Sequence, residues 1–340
     1  FARIQRKALL NSMIMKKNIL FLLLTAIFFT LFSCNKEEND RWNVEVKTSE
    51  PVKITDISAE FYNEKIPFQE FKEKYSFFLA PQVPDATYEK KRNNTLEKRM
   101  YKNAISLNKI PRLEKDLTEL FAHVKYYFPK FQNPKVYVFS PATELYQEPI
   151  LYIPDQKIIF IDLSAFMGEK SEYYKGIDNY IKKDMNPENV IARVSETIAI
   201  DYVPVTPDQN KFLDKIINQG KLLTLQDAFL PKTLDQYKIG YAKSQQEWAV
   251  SNEENIWNYF VENDLLFSDD SNLNERFLNK GPFSKFYTEI DQKSSPRVGA
   301  FIGWQICRKY LAENPEITIQ QFLQKSATEI FNNTNYKPKN

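Results

Sequence analysis

One helical segment of the chain carries residues at the spacing of a metallopeptidase site. Residues 195–199 read Ser-Glu-Thr-Ile-Ala, which would become the His-Glu-x-x-His motif if Ser195 and Ala199 were both histidine. In that motif residues i and i+4 share one helix face, so two imidazoles bind one Zn²⁺ while the glutamate acts as a base. Serine is a poor neutral ligand and alanine offers no donor atom. Glu196 therefore has no metal-bound water to activate.

The third ligand position of such a site also lacks a suitable donor. Twenty residues beyond Ala199, Gln219 precedes Gly220, where many metallopeptidases of this kind place an acidic ligand. A catalytic zinc needs three protein ligands and an open fourth position, and an amide oxygen lacks the charge of a carboxylate. With Ser195, Ala199 and Gln219 at the three positions, we predict no catalytic residue, no metal and no cofactor.

The single histidine and one of the two cysteines lie in apolar helical segments. His123 and Cys307 could form a nucleophilic pair, but a buried structural cysteine behaves as a small hydrophobe. We therefore expect both side chains to pack in the core. One histidine excludes zinc sites that need two or more imidazoles. The seven glycines form neither of the phosphate-binding patterns GxxxxGK and GxGxxG.

The carboxylates leave two other kinds of site open. A pair at a suitable separation could perform glycosidase chemistry, and an all-oxygen cluster could hold calcium. No Asp-x-Asp-x-Asp-Gly loop is present, and sequence spacing does not give the separation of two side chains. The carboxylates that fall near predicted elements are Asp155, Asp162, Glu196, Asp201, Glu253 and Glu254.

The elements that must position these residues are mostly helices. Between Pro111 and Pro129 apolar residues recur at helical spacing, which predicts a helix over 111–127. Asn186-Pro187-Glu188 has the pattern of a helix start, because asparagine can cap a helix, proline fits its first position and glutamate suits the positive end of its dipole. This pattern predicts a helix that continues through Asp201. Further helices are predicted over 86–106, 207–218, 242–264, 272–279, 297–313 and 318–332.

Strands are fewer and shorter than helices. Four segments are predicted to be strands: residues 52–57, the stretch around Val136 and Val138, residues 150–153 and residues 157–161. A turn is predicted at Pro154-Asp155-Gln156, between the last two. This order predicts an α+β fold that is mainly helical with a small β-sheet. No linker-like break follows residue 50, so we predict a single α+β domain over residues 51–340.

The N-terminal residues have the pattern of an export signal. Lys16-Lys17 precedes an apolar run from Ile19 to Phe32, which is shorter than the roughly 20 residues needed to span a bilayer. Met13 or Met15 fits a start, so we interpret residues 1–33 as a signal peptide with an upstream extension. Leu31-Phe32-Ser33-Cys34 resembles a lipobox, in which the cysteine is acylated. We predict lipidation at Cys34; an ordinary signal peptide is the alternative.

The residues after Cys34 form a polar tether, which we assign to 34–50. Asn35 stands where an aspartate would resemble an inner-membrane retention signal, so the outer membrane is favoured. Lys36-Glu37-Glu38 fits a cell-surface signal or a solvated linker equally well. The sequence therefore does not decide which face of the membrane carries the protein.

The charge balance gives no indication of a nucleic-acid partner. The chain has 46 Lys and Arg against 44 Asp and Glu. Five of the basic residues and none of the acidic ones lie in residues 1–33, so the remainder has a net charge of −3.

The C-terminal half carries a series of short motifs in a fixed order. They include Gly220-Lys221-Leu222-Leu223, Lys238-Ile239-Gly240-Tyr241, Gln246-Glu247-Trp248, Gly281-Pro282-Phe283, Pro296-Arg297-Val298-Gly299, Phe301-Ile302-Gly303-Trp304 and Tyr336-Lys337-Pro338. With the lipobox, this half resembles the gliding motility lipoproteins of the GldB family. The layout of the chain is also similar to that of zincin-type peptidases, but the metal ligands of those enzymes are absent here. This similarity implies a degenerate zincin site at Ser195, Glu196, Ala199 and Gln219.

The resemblance implies a lipoprotein required for surface gliding. Its expected partners are other gliding-machinery lipoproteins and components of type IX secretion, with the membrane reached through the lipid anchor. We expect a pseudo-zincin that acts by protein binding rather than catalysis. The alternatives are a hydrolase, based on carboxylates or zincin-like, and a module that binds cell-wall glycan.

Tryptophans mark the segments that we expect to form an interface. Trp248 and Trp257 lie nine residues apart in the helix predicted over 242–264, and Trp304 lies in the one over 297–313. An exposed apolar face on either helix would form a docking patch; core packing is the alternative. Gly299 and Gly303 are four residues apart, so another element could approach that helix closely.

Overall fold

Four short strands form a mixed sheet in the part of the chain that the computed structural model describes, which is residues 40–48, 50–141, 146–204 and 210–338. The strands are β1 (Ile54–Asp56), β2 (Lys135–Phe139), β3 (Ile150–Ile153) and β4 (Ile158–Asp162). Their order is β1-β2-β4-β3, with β1, β2 and β4 parallel and β3 antiparallel to β4. Strand β3 is therefore an edge strand.

Helices make up most of the remaining structure, which confirms the α+β prediction. The first seven in chain order are α1 (Ile57–Phe61), α2 (Phe68–Lys74), α3 (Asp85–Arg92), α4 (Thr95–Asn108), α5 (Ile110–Tyr127), α6 (Asn179–Lys182) and α7 (Val190–Ile200). The C-terminal half contains α8 (Phe212–Phe229), α9 (Asp235–Ile239), α10 (Lys243–Ser251), α11 (Glu253–Glu262), α12 (Asn272–Phe277), α13 (Val298–Glu313), α14 (Ile319–Gln324) and α15 (Ala327–Asn332).

The sheet is covered on both faces. Successive side chains of a strand point to opposite faces, and in β4 Phe160 joins an aromatic cluster with α1 and α2 while Ile159 and Ile161 are fully buried on the other face. Burial on both faces explains why β4 reads as an almost continuous apolar run. The predicted turn before β4 is a 3₁₀ turn at Pro154–Gln156, followed by Lys157 with φ of 55°.

Helices α8 and α13 pack against each other at very short range. A Cβ atom on Gly303 would lie 1.8 Å from the carbonyl oxygen of Ile216, and one on Gly220 would lie 2.2 Å from the carbonyl oxygen of Gly303. Only glycine leaves room for this contact between backbones. The predicted close approach at Gly303 is confirmed. Gly299 also faces a neighbour, since its Cβ would lie 3.0 Å from the Phe277 carbonyl oxygen.

Several local predictions differ from the structure. The helix predicted over 86–106 is two helices, α3 and α4, because Asn94 caps a new helix. The helix predicted over 207–218 begins at Phe212 and continues to Phe229 as α8. The helix predicted over 242–264 is two helices, because the chain turns at Asn252, the C-cap of α10 and the N-cap of α11. The helix predicted over 318–332 is also two, because Ser326 caps a new helix, α15. At the start of α7, Pro187–Asn189 forms a 3₁₀ turn and the Asn186 side chain caps nothing. It instead accepts a hydrogen bond from the Glu169 N–H.

The chain divides into two units after Asn43, at residues 1–43 and 44–340. In the first unit the structure describes a 3₁₀ turn at Asp40–Trp42. The second unit contains the sheet and all the α-helices given above. The single domain over 51–340 stays a prediction, and the predicted signal peptide and Cys34 lie outside the described residues. None of the described helices is both long enough and apolar enough to span a membrane.

Candidate functional site

A cavity of about 470 Å³ lies between α7 and the start of β3. We call it the Glu196 cavity. Its walls come from helix α7 and from other segments of the chain, at residues 146–150, 165–166, 180–185, 239–245, 280–281 and 296–297. The charged residues that line it are Glu148, Asp184, Arg193, Glu196, Lys280 and Arg297. Three of these side chains are cations and three are carboxylates.

Helix α7 places Arg193 and Glu196 on the cavity side because residues i and i+3 lie on the same helix face. Arg193 Nη1 donates to Glu196 Oε2 at 2.5 Å and lies 3.5 Å from Asp184 Oδ2. Its Nη2 donates to the carbonyl oxygens of Tyr237 and Lys238 at 2.7 and 2.6 Å. The Arg193 side chain is only 6% exposed, so these contacts of Nη1 and Nη2 are shielded from solvent.

A second guanidinium approaches the other oxygen of Glu196. Arg297 Nη2 lies 3.9 Å from Glu196 Oε1 and donates to Gln219 Oε1 at 3.2 Å, while its Nη1 donates to the Ile239 carbonyl at 2.8 Å. Arg297 is the N-cap of α13 and has φ of 56°. Non-glycine residues in this left-handed region cost on the order of 1–3 kcal/mol, so the surrounding contacts hold Arg297 in place.

Two of the cavity acids, Glu196 and Asp184, form a cluster with Arg193, Arg297 and Lys280 and stay ionised in it. Burial by itself would raise the pKa of Glu196, but the charges of Arg193, Arg297 and Lys280 outweigh it and hold the pKa below its usual range. The same balance lowers the pKa of Asp184, where Arg193 and Lys280 are the main cations. A carboxylate with a lowered pKa and an arginine already bonded to it is a poor general base.

The structure separates the four residues of the predicted degenerate zincin site. Glu196 lines the cavity, and Gln219 is linked to it through Arg297. Ser195 and Ala199 are fully buried on another face of α7 and do not line the cavity. The hydroxyl of Ser195 has no hydrogen-bond partner among the described residues. The i, i+4 pair that would carry the imidazoles therefore points into the core.

The predicted interface residues differ in their exposure. Trp304 is fully buried, and its indole N–H donates to Asp227 Oδ2 at 2.8 Å, so it is part of the core and offers no surface to a partner. Arg308 covers the indole at 3.8 Å from the ring centroid. Trp248 and Trp257 are half-buried. The ring of Trp257 contacts Tyr336 edge to face.

The remaining candidate side chains are structural. His123 is 2% exposed and its ring Nδ1 lies 2.9 Å from the Glu119 carbonyl oxygen. Cys307 is fully buried, and this burial raises the pKa of its thiol to about 12. Packing in the core is thus confirmed for both, and the two do not form a nucleophilic pair. Asp162 is also buried and accepts from the Ser164 N–H at 2.8 Å.

The other carboxylates do not gather into a metal site. Among the described residues, no group of three or more His, Cys, Asp and Glu side chains is placed to hold a metal ion. Glu253 accepts a hydrogen bond from the Tyr336 hydroxyl at 2.6 Å. Burial, followed by the charge of Asp155, raises the pKa of Asp201.

Sequence reasoning missed four members of the cluster around Glu196. Arg193 could have been found, since it lies three residues before Glu196 on the same helix. Arg297 stood within the Pro296-Arg297-Val298-Gly299 motif but was given no role. Asp184 and Lys280 carry no local pattern, because only the tertiary fold brings them to the cavity.

Comparison with known proteins identifies the family. Residues 39–338 match the family model of the gliding motility protein GldB, a span that contains every residue of the Glu196 cavity. Neither the curated proteins nor the solved structures gave a match. Since the family model covers most of the chain, this protein belongs to the GldB family of gliding motility proteins.

Proposed function

We propose that this protein is a lipid-anchored component of the cell envelope that supports gliding by binding other proteins rather than by catalysis. Its family gives it a role in gliding motility. The anchor would be Cys34, and the outer membrane is the favoured location. The proposed partners are other gliding lipoproteins and components of the type IX secretion machinery, and no nucleic acid is involved.

The observation that carries the proposal is the state of Glu196. This residue would be the base of a zincin-like hydrolase, yet Arg193 bonds one of its oxygens and Arg297 lies near the other. Ala199 offers no ligand atom, and Ser195 points away from the cavity. These contacts favour a cavity that binds a ligand over one that activates water.

The experiment is complementation of a gene deletion with Glu196→Gln. Glutamine keeps an oxygen that can accept from Arg193 but cannot act as a base. We expect cells with this variant to glide at the wild-type speed when the protein level is normal. Loss of gliding at a normal protein level and melting temperature would support the hydrolase alternative instead.

Cross-linking in the native cell, followed by mass spectrometry, tests the partner part of the proposal. We expect gliding and secretion components among the cross-linked proteins. A cross-linked set without any such component would refute this choice of partners.

A further inference from the structure

A second cavity, of about 450 Å³, lies between the end of α5 and the turn that joins β3 to β4. Its volume falls within the range of roughly 300–1,000 Å³ that is usual for ligand cavities. Among the described residues, it shares no lining residue with the Glu196 cavity. We call this second one the aromatic cavity.

Half-buried aromatic rings form the walls of the aromatic cavity. They belong to Tyr127, Phe128, Tyr152 and Tyr202. The rings of Phe128 and Tyr202 are stacked with centroids 3.8 Å apart, and the buried Phe229 meets the Phe128 ring edge to face at 5.9 Å. Phe128 is also the C-cap of α5, so both the helix and the core fix its position. Rings held in this way need little ordering when a ligand binds.

Polar side chains stand around these rings. Two amides and two ammonium groups line the same cavity, from Gln132, Gln320, Lys130 and Lys157. Lys157 Nζ donates to Gln132 Oε1, and Gln320 Nε2 donates to the carbonyl oxygen of Tyr127. The lining therefore places hydrogen-bond donors and acceptors next to apolar ring surface.

The charge of the lining indicates an anionic ligand. Lys130 and Lys157 are cations, and no acidic side chain is among the described residues that line the aromatic cavity. Asp201 acts electrostatically on Tyr202 but lies outside the lining. An anionic group on the ligand would pair with the two ammonium groups through charge-assisted hydrogen bonds.

The combination of rings, amides and ammonium groups selects a saccharide as the class of ligand. A sugar ring has an apolar face of C–H groups that can lie on an aromatic ring, and its hydroxyls both donate and accept hydrogen bonds. A proline-rich peptide also fits grooves lined by aromatic rings, but its prolines have no N–H to donate to Gln132 Oε1 or to the tyrosine oxygens.

We propose that the aromatic cavity binds a saccharide that carries a carboxylate. The sugar rings lie on the aromatic walls, the amides bond to hydroxyls, and the carboxylate pairs with Lys130 and Lys157. The inference goes beyond the proposed function, because it adds a saccharide ligand to a chain that we propose to act by binding proteins.

The first test measures binding of four probes to the full-length protein in detergent. Tetragalacturonate is a saccharide with carboxylates, N-acetylchitotetraose is a neutral saccharide, tetraglutamate is an acidic peptide and decaproline is a proline-rich one. We expect tetragalacturonate to bind about tenfold more tightly than any other probe, since a hydrogen bond to a charged group changes an equilibrium constant by roughly that factor or more. Equal or tighter binding of another probe would overturn the proposal, as would no binding of tetragalacturonate.

A first variant locates the site through a ring. Tyr152→Ala removes one aromatic wall of the cavity. Leu151→Ala is its control, because Leu151 is the neighbouring residue of the same strand, is 54% exposed and lies outside the cavity. We expect Tyr152→Ala to weaken tetragalacturonate binding about tenfold and Leu151→Ala to bind like the wild type.

A second variant locates the site through its charge. Lys130→Gln combined with Lys157→Gln removes both ammonium groups from the lining. Lys125→Gln combined with Lys135→Gln is the matched control, since both of these lysines are exposed and lie outside the lining. We expect only the first pair to weaken tetragalacturonate binding, about tenfold or more, with both melting temperatures close to that of the wild type.

The lysine pair decides alone if Tyr152→Ala lowers the melting temperature. Wild-type binding by the Lys130→Gln, Lys157→Gln variant would overturn the proposal, as would an equal loss in its control. Gliding and cross-linking assays test the proposed function without any saccharide probe, so the failure of one proposal is distinguishable from the failure of the other.

Discussion

Replacing Gly303 by alanine tests the contact that joins α8 and α13. The new Cβ would lie 1.8 Å from the Ile216 carbonyl oxygen and 2.4 Å from the carbonyl carbon. Both are backbone atoms of α8, so no side chain can rotate away to make room. The two helices would have to separate, and the contacts of fully buried side chains along the interface, such as Trp304, would loosen.

The magnitude follows from two opposing effects. Overpacking a core costs roughly 1–3 kcal/mol, and a clash between two backbones belongs at the upper end, about 3 kcal/mol. Alanine is favoured over glycine inside a helix by about 1 kcal/mol. The net loss in the free energy of unfolding is about 2 kcal/mol, which for a unit of this size corresponds to a melting temperature lower by roughly 3 °C.

Thermal unfolding followed by circular dichroism measures this change, with Gly281→Ala as the matched control. A Cβ on Gly281 meets only the Phe283 carbonyl oxygen, at 3.8 Å, which is an ordinary contact. Alanine there should leave stability unchanged or raise it by roughly 0.4–1 kcal/mol through the unfolded state. A Gly303→Ala protein with the same melting temperature as the wild type would refute the predicted clash between α8 and α13.

Three further predictions concern the anchor, the metal and the acid response. Cys34→Ala should abolish incorporation of labelled fatty acid, and a variant that still takes up label would exclude Cys34 as the lipid site. Elemental analysis should find far less than one zinc per chain, because Ala199 has no donor atom, and a chelator should not move the melting temperature; stoichiometric zinc that survives dialysis would contradict this. The pKa of Glu196 is lower in the folded protein than its value of about 4.3 in the unfolded chain, so the ionised carboxylate stabilises the fold above about pH 4.3. This stabilisation is lost as the pH falls through the pKa of the folded state. The urea midpoint of Glu196→Gln should therefore fall less between pH 6 and pH 3 than that of the wild type, and equal falls would show that Glu196 carries no such effect.

The parts of the fold that could be predicted are those where local patterns and tertiary packing agree. The apolar spacing between Pro111 and Pro129 gave α5 because the stripe that it forms is the stripe that is buried. The break at Asn252 could not be predicted, because the apolar residues on its two sides continue at helical spacing. Only the packing of α10 and α11 decides where the chain turns.

The candidate site shows even more clearly that local sequence patterns do not predict contacts made by the tertiary fold. The sequence identifies Glu196 through a motif, and the structure gives it different neighbours from those that the motif implies. Arg193 lies three residues before Glu196 on the same helix, whereas Arg297 comes from a distant part of the chain, and its approach to Glu196 has no sequence pattern.

The cluster around Glu196 also gives this acid a structural role that does not depend on a metal site. The Arg193 side chain is 6% exposed and the Glu196 side chain 23%, and charges so far removed from water need partners of opposite charge. Arg193 pairs with both Glu196 and Asp184. Burial by itself would lower the pKa of Arg193, but the charges of Asp184 and Glu196 outweigh it and raise the pKa. The acid and the arginine therefore depend on each other for stability. Glu196 has a structural reason to be present, whether or not it touches a ligand, and its presence is no evidence of hydrolysis.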